Sequence, residues 1–148
     1  MRVYLDNCCF NRVFDDQTSL TIRLETEAKL SIQDNIRAGE FTLGWSYVLD
    51  YENVVNLFEE RREEIQQWEE LSDTFIEETP EILADMNRFV AVGFKSLDAL
   101  HVACAIALEC EYFLTVDKGI LKKATAISGI QVMNPIDFIM TWEAQHES

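Results

Sequence analysis

Four acidic side chains, Asp6, Glu52, Asp98 and Asp117, each stand where an apolar run gives way to a turn or close to the start of a helix. A carboxylate so placed can ligate a hard cation, and four that converge could serve the hydrolysis of a phosphodiester. That reaction needs an activated water, neutralisation of the charge growing on phosphorus and stabilisation of the departing alkoxide, all of which a divalent metal can supply. Magnesium and manganese prefer oxygen ligands, so aspartates and glutamates suit them. Carboxylates gathered in this way repel one another, which raises some of their pKa values until a cation relieves the repulsion. Taken singly, each of the four is an ordinary turn or capping acid. Asp6 follows an apolar run in a Leu-Asp-Asn turn, Asp98 lies in a first helical turn where the macrodipole favours an anion, and Asp117 ends a strand. Glu52 falls inside a helix, where Asp50 competes with it for any acidic role.

The elements that must position these acids read as alternating strands and helices. Val3-Tyr4-Leu5 is a short β-prone run that enters a loop at Asp6-Asn7. From Ser19 to Ala38, Leu20, Leu24, Ala28, Ile32 and Ile36 recur every fourth residue, with Gly39 placed to stop a helix. Phe41-Thr42-Leu43 reads as a second strand, and Ser46 as the cap of a helix with Val48, Leu49, Val55 and Phe58 on its apolar face and Glu52 in its second turn. The stretch from Glu59 to Glu70 is a solvated helix with only Ile65 and Trp68 turned inward. Thr74-Phe75-Ile76 is a third strand, and Thr79-Pro80 opens a helix that runs to Gly93.

Ser96 is placed to cap a largely apolar helix that reaches about Glu109, followed by a strand over 112–116, a short helix over 118–126 and a last strand at Ile130-Gln131-Val132. Asn134-Pro135 opens a terminal helix carrying Ile136, Ile139, Met140 and Trp142 on one side. The pattern predicts an α/β domain with a parallel sheet covered on both faces, in which ligands bind outside the carboxyl ends of the strands. Asp6 and Asp117 both fall at such ends.

The 148 residues suit one domain over 1–148, and the composition, 48% hydrophobic with 5 Gly and 2 Pro, is that of a globular protein. The N-terminus lacks the features of a signal peptide, and no run approaches the ~18 apolar residues of a membrane span, so a cytoplasmic location without membrane contact is expected. Cys8, Cys9, Cys104 and Cys110 fit neither a CxxC zinc site nor a secreted disulfide framework and read as reduced, mostly buried thiols. With 12 basic against 27 acidic residues the formal charge is −15, which argues against a broad electrostatic footprint on nucleic acid and suits a basic protein partner. Bound divalent cations would reverse that sign locally at a carboxylate cluster.

In order and spacing, Val3-Tyr4-Leu5-Asp6-Asn7, the run from Ser46 to Glu52, Lys95-Ser96-Leu97-Asp98-Ala99-Leu100-His101 with Val102-Ala103-Cys104-Ala105 behind it, and Phe113-Leu114-Thr115-Val116-Asp117-Lys118 resemble the PIN domain family, from Val3 to about Phe138. The resemblance implies a PIN-like three-layer α/β domain, its central parallel sheet flanked by helices, with an acidic pocket that binds Mg2+ or Mn2+. It implies a metal-dependent ribonuclease in which Asp6, Glu52, Asp98 and Asp117 are the catalytic and metal-binding acids, with Thr115 and Asn7 supporting them from behind. Many small prokaryotic members are toxins of toxin–antitoxin pairs, which implies an antitoxin that inserts a basic side chain among the carboxylates. It also implies a homodimer, for which Ile139, Met140 and Trp142 could offer an apolar patch.

Departures from the commonest toxin pattern are His101, the adjacent Cys8 and Cys9, and the strong net charge. His101, three residues after Asp98, reads as a packed or hydrogen-bonded histidine, and Lys95 as a solvated lysine at a helix entrance. Trp45, Tyr47 and Tyr51 read as core aromatics, with base stacking near Glu52 as the alternative. A catalytically weak PIN-like module that holds a basic protein partner is the alternative reading of the whole chain. An aspartate-nucleophile phosphatase is disfavoured, because the Asp-x-Asp such enzymes carry after the first strand would need an aspartate where Cys8 stands.

Overall fold

The computed structural model describes residues 1–146. Strand β1 spans Arg2–Leu5, followed by α1 (Asn7–Asn11), a 3-10 turn at Arg12–Phe14, α2 (Leu20–Arg37) and β2 (Thr42–Ser46). Then come α3 (Tyr47–Val54), α4 (Glu59–Leu71), β3 (Thr74–Ile76), α5 (Pro80–Ala91) and α6 (Ser96–Ala107). The chain closes with β4 (Tyr112–Leu114), α7 (Lys118–Lys122), a 3-10 turn at Ala124–Ala126, β5 (Gln131–Met133) and α8 (Pro135–His146).

The five strands form one parallel sheet in the order β3-β2-β1-β4-β5. Parallel neighbours need crossovers, and helices flank the sheet, with α2 packed on α8 and α5 on α6. In the middle strand β1, Val3, Tyr4 and Leu5 are wholly buried, as a strand covered on both faces must be. Beyond β1 the chain steps outward to β2 and β3, then crosses back to pair β4 against the other side of β1. The carboxyl ends of β1 and β4 therefore flank the point where the winding reverses, the usual place for a crevice in an open α/β sheet.

Local chemistry explains most boundaries. Ser19, Ser46 and Thr79 cap α2, α3 and α5 by accepting the N–H of Ile22, Leu49 and Ile82, and Pro80 takes the first helical position of α5. Gly39, at φ +83°, ends the α2 segment in a conformation that a side chain would resist. The cysteines are all free, with Cys9, Cys104 and Cys110 buried and Cys8 half-buried.

Four expectations need correction. The four-residue repeat in α2 turns about 40° per step around an α-helix, so Ala28, Ile32 and Ile36 are buried while Leu20 and Leu24 have drifted out to solvent. Helix α3 stops at Val54, which leaves Val55 and Phe58 exposed rather than on its buried face. The residue that caps α6 is Lys95, with no side-chain bond, and Ser96 is already helical. In α8, Ile139 is buried and Trp142 packs edge-on against Phe41 at 5.1 Å, so that of the anticipated apolar patch only Met140 is exposed. The chain's exposed apolar cluster lies instead at the α3–α4 junction, where Tyr51, Val54, Val55, Leu57 and Phe58 face solvent.

Candidate functional site

Asp6 leaves the end of β1 and caps α1, with its Oδ1 accepting the Asn7 N–H at 2.8 Å. Oδ2 accepts the Thr115 hydroxyl at 2.9 Å, and the Cys8 thiol lies 3.4 Å from the same oxygen. Thr115, wholly buried just past β4, also accepts the Asp117 N–H at 3.0 Å, so one hydroxyl clasps the two strand ends across the switch point. Asp117 caps α7 through Oδ1, which accepts the N–H groups of Gly119 at 2.7 Å and Ile120 at 3.1 Å. A Cβ at residue 119 would stand 3.0 Å from that oxygen, a contact tighter than ordinary packing.

Asp98, half-buried, enters from the first turn of α6. Burial raises its pKa, and repulsion from Asp6 and Asp117 raises it further against a smaller pull from His101 and Lys95. Asp6 and Asp117 are thus near enough for their charges to act on Asp98. Its charge is only partly offset by His101 and Lys95, so the net shift stays upward.

Glu52 arrives from α3 and hydrogen-bonds His101 Nε2, which itself lies 4.0 Å from Asp6 Oδ1. His101 is 1% exposed, and its Nδ1 meets the Tyr4 hydroxyl at 2.6 Å, which meets Ser46 Oγ at 2.7 Å. Burial pulls the imidazole pKa down, but the Glu52 hydrogen bond and the charges of Asp6, Glu52 and Asp98 outweigh it and the net shift is upward. His101 is thus the packed, hydrogen-bonded histidine expected from sequence, and it also joins Glu52 to the aspartates. Its three-residue spacing from Asp98 pointed to a shared helix face and carried no sign of Glu52.

Other candidates sit elsewhere. Asp50 accepts the indole N–H of Trp45 at 2.8 Å and lies against Glu69, away from the aspartates. Asn7 supports Asp6 through its backbone N–H. Trp45 is buried against Phe10 at 5.2 Å and cannot receive a base, whereas Tyr51 is exposed.

Among the described residues, no three His, Cys, Asp or Glu side chains converge closely enough to hold a metal ion as they stand. The donor chemistry nonetheless fits a hard divalent cation. Asp6 Oδ1 spends one acceptor site on the Asn7 N–H and keeps another, and Asp98 carries repulsion that a cation would cancel.

Two solved structures share this fold over most of the chain. VapBC2 from Rickettsia felis, bound to a DNA fragment from their promoter, is similar at 13% identity and a TM-score of 0.58, over 90% of this chain and 98% of that one. FitAcB from Neisseria gonorrhoeae is similar at 15% identity and a TM-score of 0.58, over 90% and 97%. The fold is PIN-like. No protein-family model matches the sequence, and no curated protein matches it significantly, so at these identities the likeness is one of fold. On the PIN-like sheet, Asp6, Thr115 and Asp117 occupy the carboxyl ends of β1 and β4, and Asp98 and His101 the helix that leads into β4. No described helix is long and apolar enough to cross a membrane.

Proposed function

We propose that this chain is a divalent-metal-dependent endoribonuclease and the toxin of a toxin–antitoxin pair. The observation that supports the reading is the placement of Asp6 and Asp117 at the carboxyl ends of β1 and β4, clasped by Thr115, with both charges acting on Asp98 in the first turn of α6. Asp6, Asp98 and Asp117 would hold magnesium or manganese, with Glu52 completing the pocket. The bound ion would supply activation of water and neutralisation of charge on the phosphate.

The chain's own residues do the rest. Thr115 fixes the Asp6 carboxylate against the end of β4, and the α7 N–H groups fix Asp117, so both acids are held before substrate arrives. Glu52, tethered to His101, orients the incoming water, and the phosphodiester breaks without a covalent enzyme intermediate. The acidic pocket and the net charge of −15 favour a basic antitoxin segment over the site, in a cytoplasmic protein folded as one domain.

The test is cleavage of a panel of structured RNAs with and without Mg2+ or Mn2+. Cutting should need the metal, and Asp6→Asn or Asp98→Asn should abolish it. Cleavage by both variants at the parent rate would overturn the assignment. A second reading, a catalytically inert module for a basic partner, draws on the exposed cluster at Tyr51, Val54, Val55, Leu57 and Phe58 beside acidic α4. Calorimetry with Mn2+ separates the two, because an inert module has no need of an ion site sensitive to Asp6 and Asp98.

A further inference from the structure

A buried chain of hydrogen bonds runs behind the aspartates and ties four elements together: Ser46 at the end of β2, Tyr4 in β1, His101 in α6 and Glu52 in α3. Ser46 Oγ accepts the Leu49 N–H at 3.3 Å, so its own hydrogen is free for Tyr4. The Tyr4 hydrogen can then go to His101 Nδ1, with its ring stacked on Phe113 at 5.4 Å and so held in place. The tautomer in which Nδ1 accepts from Tyr4 carries its ring hydrogen on Nε2, aimed at Glu52, and a carboxylate oxygen is an acceptor for it. A second proton on the ring would occupy Nδ1 and leave Nε2–H unchanged. A nitrogen that carries its hydrogen has no lone pair for a metal or for a substrate proton.

We infer that His101 is a positioning residue: braced by Tyr4 and Ser46, it donates to Glu52, fixes that carboxylate and keeps it from joining the three aspartates around a cation. Its functional meaning rests on the nuclease reading, while its geometry stands on the hydrogen-bond chain alone. The arrangement gives two acids of one pocket different duties, since Glu52 has a standing hydrogen-bond partner and Asp98 has none among the described residues.

Three variants and one spectroscopic measurement test this. His101→Leu fills the space without a donor, His101→Gln places an amide N–H near the position of Nε2, and Tyr4→Phe removes the brace while keeping the ring. His101→Leu should lower kcat for Mn2+-dependent cleavage about tenfold or more with KM within about twofold, as loss of a positioning partner does. Its Mn2+ affinity by calorimetry should not fall, because Glu52 becomes free to approach the ion. His101→Gln should recover most of the loss, and Tyr4→Phe should show a smaller loss of the same kind. Nitrogen-15 NMR of the parent His101 ring should show Nε2 protonated with and without magnesium.

An unprotonated Nε2, a His101→Leu variant that matches the parent, one that weakens Mn2+ binding as much as it slows turnover, or a Gln variant with no recovery would each overturn the inference. If His101→Leu does not fold, Tyr4→Phe and the ring NMR decide. A parent that cuts no RNA with metal sinks the nuclease reading instead. The ring NMR and the Mn2+ affinity of Glu52→Gln, expected to match the parent, then decide the inference separately.

Discussion

Replacing Thr115 with valine should unfasten Asp6 from Asp117 and destabilise the metal-free protein by about 2–3 kcal/mol. The side chain is wholly buried and valine has nearly its shape, so the change leaves no cavity and isolates the hydroxyl. That hydroxyl donates to Asp6 Oδ2 at 2.9 Å, and a hydrogen bond to a charged group contributes about 1.5–3 kcal/mol. It also accepts the Asp117 N–H at 3.0 Å, but Asp117 is exposed and water can replace that partner, so the second loss adds little. For a chain of this size each kcal/mol shifts Tm by ~2–4 °C, which makes the expected fall roughly 4–12 °C. Thr115→Ser keeps the hydroxyl and should cost only about 0.8 kcal/mol for the lost methyl. Urea titrations and thermal melts followed by circular dichroism at pH 7, without metal, read both. A valine variant within about 0.5 kcal/mol of the parent, or a serine variant as unstable as the valine one, would refute the clasp.

Asp98→Asn should stabilise the metal-free protein at pH 7, since it removes a carboxylate that burial and the charges of Asp6 and Asp117 oppose. The folded Asp98 pKa lies above its ordinary value of 3.8, so this penalty is full at neutral pH and fades as pH falls through the raised value. The parent should therefore gain stability relative to Asp98→Asn on mild acidification, and paired urea midpoints between neutral pH and pH 4 would measure it. Added Mn2+ should raise the parent midpoint and leave that of Asp98→Asn nearly unmoved. Lys29, wholly buried with its Nζ 3.4 Å from Glu64 and 5.0 Å over Trp68, has its pKa pulled down by burial against the pull of Glu64. Lys29→Met should be neutral or stabilising, whereas Glu64→Gln should destabilise by less than the ~3–5 kcal/mol of a fully buried pair, because Glu64 is partly exposed; the two urea midpoints check the order.

Much of this architecture follows from local pattern. Caps at Ser19, Ser46 and Thr79, the proline at residue 80 and the turn acids Asp6 and Asp117 act within a few residues of themselves, so a linear reading reaches them. The drift of Leu20 and Leu24 out of the core was also readable, since a strict four-residue repeat does not stay on one face of an α-helix. Helix α3 ends early for a reason the sequence hides. Arg62 donates to the Asn56 carbonyl and Asn53 to the Arg62 carbonyl, so the chain turns there and strands Val55 and Phe58 outside. The partnership of His101 with Glu52 was equally hidden, because it joins residues 49 apart that only the tertiary fold brings together.

Asp6 is made 109 residues before the Thr115 that holds it, and β1 waits for β4 to cover its second edge. A chain halted before β4 has neither the clasp nor the third aspartate, and its middle strand is an open edge that invites pairing with other chains. The pocket therefore forms only once β4 is made, through a closure of long reach that is slow by nature. Whatever chemistry it performs is withheld from a copy halted before β4, which is more readily lost to aggregation than set to work.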